Sequence, residues 1–191
     1  MARVRVDFGE LGVTGLKRHG GEIAEEFLPQ LTGSRAIQVY TEMANNDPVV
    51  AAMLFAVNMM MRQVSFSITP AADTPKALWA KEFMESVLSD MSQSFEDTLD
   101  EIYSFLVYGW SFHEIVYKRR LGETGAGGAS SKYADGYIGW RKLPIRAQST
   151  LYEWEFDEAG GVQAMLQLSP LDYSIRRIPI EKALLFRTEA R

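Results

Sequence analysis

The side chains able to do chemistry are few and scattered. His113 and Glu114 stand together in SFHEIVYK, but a zinc-binding helix needs a second histidine four residues after the first, and Tyr117 occupies that position. His113 therefore reads as a structural histidine, either satisfied or exposed, and His19 is equally isolated in a glycine-rich stretch. The run GETGAGG at 122–128 is not followed by a Lys-Ser/Thr pair or a helical pattern, so it lacks what a phosphate-gripping loop requires and reads as a connection between strands. Glu153, Glu155 and Asp157 alternate along one segment and could face a divalent cation together, yet carboxylates at alternate positions on an exposed strand are ordinarily solvated. There is no cysteine, which removes thiolate metal sites, cysteine nucleophiles and disulfides. No serine lies in a nucleophile elbow, and no spacing suggests a Ser/His/Asp triad. The expectation is no catalytic residue, no metal ligand and no cofactor, and so not an enzyme.

The elements that carry these residues fall into two blocks. Asn45, Asn46 and Asp47 offer capping side chains ahead of Pro48, which suits the first helical position because its missing N–H is not needed there. Val50, Met53, Leu54, Val57, Met60 and Met61 then recur at helical spacing, with Asn58 and Arg62 nearer the polar side, predicting a helix over 48–62 whose methionines fill a core. Thr74 and Pro75 open a second helix over 75–89. Ser94, with Asp97 three residues on, opens a third over 95–108, with Phe95, Leu99, Ile102 and Leu106 on one face. Between the first two, VSFSIT at 64–69 alternates like a half-buried strand.

Gly109 fits a left-handed position closing the third helix, and Trp110, Phe112, Ile115, Val116 and Tyr117 supply strand-forming side chains directly after it. Further strands are expected over 137–143, ended by Pro144, and over 183–187. Tyr152 to Phe156 should pair with Val162 to Leu168 across the DEAGG turn. Helices followed by strands predict an α+β fold with a mostly antiparallel sheet. Residues 1–35, with six glycines and little periodicity, read as an extended or mobile arm ahead of a domain over 36–191.

Composition fits one ordinary domain: 191 residues, 47% hydrophobic and 24% charged, suffice for a core. A net charge of −5 argues against a surface that coats nucleic acid, which relies on many cations displacing counterions. The longest apolar run, Val49 to Met61, has 13 residues and is broken by Asn58, short of the roughly 20 that span a bilayer. The first residues, MARVRVDFGELG, lack the continuous apolar core of a secretory signal.

Three stretches, NDPVVAAMLFAVNMM, FLVYGWSFHEIVYK and DGYIGWRKLPIRAQSTLYEWEFDEAGGVQAMLQ, resemble the portal proteins of tailed bacteriophages, particularly those of Mu-like phages. The resemblance covers most of 40–191. Asp47, Pro48, Gly109, Glu114, Trp140 and Trp154 match its landmarks, which are structural, since the family has no catalytic residues to transfer. It implies a portal wing-like and body-like domain lacking the later stem, clip and crown. It implies a homo-oligomeric ring, usually of twelve subunits, at one capsid vertex of the virion, assembled in the host cytoplasm. Double-stranded DNA would pass through the ring during packaging and ejection. The implied partners are a terminase motor, the major capsid protein and a head-to-tail adaptor, with no membrane. The alternatives are another head-completion or adaptor-type interaction module, or a metal-dependent DNA hydrolase.

Overall fold

A computed structural model describes residues 18–19, 22–23, 27–123 and 129–188. Helices come first and strands afterwards, so the chain is α+β. A two-residue antiparallel pair, β1 (Arg18–His19) with β2 (Glu22–Ile23), precedes them. Of the arm expected over 1–35, residues 29–31 form a 3-10 turn and 33–35 already belong to a helix, while 1–17, 20–21 and 24–26, like the segment 124–128, lie outside the described residues.

Helix α1 (Gly33–Asn46) has no counterpart among the three helices expected from capping signals, and its first residue lies just ahead of the expected boundary at 35. Its N-cap, Thr32, makes no side-chain cap, donating instead to the Pro29 carbonyl at 2.8 Å. The next helices start where expected. Asp47 Oδ1 accepts from the N–H groups of Val49 (2.8 Å) and Val50 (3.1 Å) to open α2 (Pro48–Arg62). Thr74 caps α3 (Pro75–Ser89), and Ser94 accepts from the Asp97 N–H at 3.0 Å to open α4 (Phe95–Ile102).

The expected third helix is divided. It stops at Ile102, and a single turn, α5 (Phe105–Tyr108), resumes beyond Tyr103 and Ser104. Ser111 donates to the Ile102 carbonyl at 3.0 Å, and tight i→i+3 bonds, Ser104 N–H to Glu101 and Leu106 N–H to Tyr103, replace the α-helical pattern. Leu106, expected on the apolar face, is consequently exposed. The expected strand at 64–69 is absent as well. Among the described residues no strand runs beside it to pair with; Val64 is half-exposed, and Phe66 meets Phe95 edge-on at 5.8 Å.

After Gly109 the chain turns into β3 (Trp110–Glu114), and what periodicity presents as one strand through Tyr117 is broken at Ile115. The Ile115 N–H leaves the ladder to bond the Lys182 carbonyl at 2.8 Å. β3 lies between β10 (Ala183–Arg187) and β6 (Ile145–Arg146). β4 (Val116–Arg119) pairs instead with β5 (Ile138–Lys142). The expected hairpin forms as β7 (Leu151–Phe156) and β8 (Val162–Leu168), with β9 (Ile175–Pro179) added to β8. All these pairs are antiparallel. The core lies where the two three-stranded sheets meet: Phe112 and Ala183 from one, Trp154, Met165 and Ile178 from the other.

Helix α2 departs most from expectation. None of its residues is buried, so the methionine stripe read as core is not core. The helix packs on α1 and α4 through its half-buried side, which carries Leu54, Val57 and Asn58, and leaves Val49, Met53 and Met60 outside at 66%, 66% and 60% exposure.

Candidate functional site

The landmark residues separate into three places. Asp47 and Pro48 form the joint between α1 and α2, where the aspartate stops one helix and caps the next. Trp140 sits half-buried on β5, opposite Tyr117 of β4. Gly109, Glu114 and Trp154 gather around β3.

At this third place Gly109 has φ +79° and closes α5, its N–H donating to the Phe105 carbonyl at 2.8 Å while its own carbonyl accepts from the Thr188 N–H at 3.1 Å. The glycine thus ties the helix end to the end of β10. Trp154 meets Trp110 edge-on at 5.0 Å and Phe112 at 5.9 Å between ring centres, joining β7 to β3. Glu114, at the far end of β3, takes the Arg146 guanidinium through Nε (3.1 Å) and Nη2, and faces Lys182 Nζ at 3.3 Å. Burial pushes the Glu114 pKa up, but Arg146 and Lys182 outweigh it and hold the carboxyl below its ordinary value.

His113, between them in sequence, points to the other side of β3 and is fully buried. Its Nδ1 lies 3.0 Å from the Leu143 carbonyl, Nε2 has no partner, and the ring stands edge-on to Phe186. Burial lowers its pKa, so the imidazole is neutral at pH 7. The expected satisfied histidine is therefore satisfied at one nitrogen. Among the described residues no group of three or more His, Asp or Glu side chains is placed to hold a metal. The acidic strand face is partly neutralised rather than merely solvated, since Glu155 makes a two-bond pair with Arg177 of β9 at 2.7 and 2.9 Å.

A buried polar cluster has no signal in the local sequence. Asp90, just past α3, takes Lys118 Nζ at 3.0 Å, the Ser131 hydroxyl at 2.7 Å and the Lys132 N–H at 2.8 Å. Beside it Arg120 donates to Ser86 Oγ and Asp135 Oδ2, each at 2.8 Å, and lies over the Tyr133 ring at 4.0 Å. Asp90, Lys118, Arg120 and Ser131 are all buried, and these bonds replace much of the water that the charges have lost, although Arg120 Nε is left without a partner. Burial raises the Asp90 pKa, and Ser131, Lys132 and Lys118 bring it below the ordinary value. The cluster fastens residues 130–136 to α3 and β4. Its partners lie 12 to 42 residues apart, and no short-range pattern encodes such pairs.

A cleft of about 730 Å³ opens between the start of α1 and β7. Tyr40, Tyr108, Trp110, Tyr152, Trp154 and Tyr173 line it, and Glu153 is its one carboxylate. Such aromatic walls can hold another apolar surface.

A family model described as the portal protein of Mu bacteriophage matches residues 37–191, which includes α2 to α5, nearly all of α1, and β3 to β10. No curated protein matches the chain.

Proposed function

We propose a function from one premise: this chain belongs to the portal protein family of Mu bacteriophage. The protein is a structural component of the phage head, a subunit of a closed ring at one capsid vertex through which double-stranded DNA is packaged and ejected. A ring of about twelve subunits, a location in the virion, and contact with a terminase motor, the major capsid protein and a head-to-tail adaptor follow from the family. The residues above are wing and body, while ATP chemistry belongs to the motor. The observation that carries this reading is the extent of the match, which runs through the helical block and both three-stranded sheets.

No helix among the described residues is long and apolar enough to cross a membrane. Asp47, Pro48, Gly109, Glu114, Trp140 and Trp154 serve as structural joints: a helix corner, a helix-to-sheet turn, an ion-paired strand end and aromatic packing. Mass measurement and electron-microscopic class averages of the full-length gene product are expected to show one closed multimer near twelve subunits. A persistent monomer at micromolar concentration, or intrinsic metal-dependent cleavage of DNA, would overturn the assignment.

A further inference from the structure

Helix α2 is apolar on its outward side as well as on the side that packs. Its one uncharged polar side chain, Asn58, lies on the side turned toward the rest of the chain, with Oδ1 buried and without a hydrogen-bond partner. Its outward stripe, Val49, Ala52, Met53, Ala56 and Met60, repeats at helical spacing with no charged or polar member. A solvated helix face is normally the polar one. Beyond the exposed Arg62 and Gln63, Val64 and Phe66 add apolar surface at 50% and 57% exposure, Phe66 meeting Phe95 edge-on at 5.8 Å, and Phe55 flanks the stripe at 65%.

A second apolar patch lies on different elements. Leu78 and Trp79 of α3, with Tyr137 and Ile138 at the start of β5, are 42% to 60% exposed, and Trp79 and Tyr137 meet edge-on at 5.7 Å. α3 packs on β5, whereas α2 packs on α1 and α4. Two unlike patches on one chain are what a head-to-tail contact requires, since each copy must offer a different face to each neighbour. The large side chains of the α2 stripe and its extension leave roughly 600 Å² exposed, close to the ~800 Å² that each partner gives to a specific interface.

We propose that the outward stripe of α2 in one copy seats on the Leu78–Trp79–Tyr137–Ile138 patch of the next copy, forming the contact repeated around the ring. This rests on the ring reading and goes further by naming the two faces that meet. Aromatic residues, such as Trp79, are the usual anchors of such contacts, and Ala52 and Ala56 let a large ring approach the helix backbone.

These 191 residues contain no cysteine, so once any cysteine elsewhere in the full-length protein is replaced by serine, introduced ones are unique reporters. The full-length protein is made as Met53→Cys and, separately, as Trp79→Cys. The two are co-assembled and treated with a short bismaleimide, and ring formation is followed by electron microscopy. The expected result is a linked dimer in the mixture and none in the Met53→Cys protein alone. Met60→Cys with Ile138→Cys repeats the test should Trp79→Cys fail to fold, and Met53→Glu is expected to lower the fraction in rings by about tenfold or more. Rings that form normally without either cross-link overturn the proposal while leaving the ring reading intact. A Met53→Cys protein that links to itself also overturns it, because it shows a two-fold contact, as does linkage of that position to a different protein. Failure of the unsubstituted protein to form any ring removes the ring reading together with this contact.

Discussion

Gly109 holds a positive φ where a Cβ would meet no atom within 4 Å, so the cost of a side chain there is conformational and not steric. Gly109→Ala is expected to lower stability in urea unfolding by about 1 kcal/mol, and Gly109→Val by more, since β-branching restricts the left-handed region further. Glu114 makes a different case. Its depressed pKa means that the folded state holds the charged carboxylate more tightly than the unfolded chain does. The stabilisation is thus fully present above the ordinary value of 4.5 and lost as pH falls through the lower folded-state value. Glu114→Gln should cost about 1–3 kcal/mol at pH 7, and the loss should shrink as the wild-type protein is taken below pH 4, measured by denaturant midpoints across pH. Gly109 was legible because its function is local: an apolar helical stripe ends and a strand begins on either side of it. Glu114 was visible only as a match to a pattern, because Arg146 and Lys182 arrive from β6 and from the turn before β10.

At the scale of elements, caps were the most readable signals. α2 and α3 keep the expected bounds because Asp47 and Thr74 accept the hydrogen bonds that their residue types promise, each ahead of a proline. Periodicity was less dependable, because it reports which side chains share a face and not whether anything covers that face. It wrote one helix over α4 and α5, where Ser111 draws off a carbonyl, and a strand over 64–69, where no neighbour completes a ladder. The Asp90 cluster was invisible for a related reason, as its members come from the end of α3, β4 and the connection to β5. Asp90→Ala leaves Lys118 buried at 3% side-chain exposure without its counter-charge, and is expected to cost about 3–5 kcal/mol. Hydrogen exchange should localise part of that loss to residues 130–136, with α2 unaffected. Uniform loss of protection across the chain would show instead that the cluster has no local role.

For the whole molecule, the class and order of elements followed from the sequence, and the orientation of α2 did not. A stretch with 13 residues and no charge reads as interior in any monomer, and here the face it turns outward has no cover among the described residues. The isolated 191-residue chain is accordingly expected to bind an apolar dye such as anilinonaphthalene sulfonate in its native state. Met53→Glu with Met60→Glu should reduce that fluorescence while changing unfolding stability by about 0.5 kcal/mol or less, as exposed positions do. Unchanged dye binding would place the apolar surface elsewhere.

The pairing of β3 with β10 bears on how the chain is made. Glu114 and Ala183 are register partners across more than a third of the sequence, and β3 is the middle strand of its sheet. While the ribosome is still adding residues after 114, β3 has only the two-residue β6 to satisfy one edge, and the other edge stays open until Ala183–Arg187 emerge. The helices and the β7–β8–β9 meander rest on local contacts and can form as they are synthesised, but the closing strand follows all of them. A nascent subunit therefore carries an unpaired strand edge while residues 115–183 are added, and its vulnerability to premature pairing with a neighbouring nascent copy ends only when β10 docks.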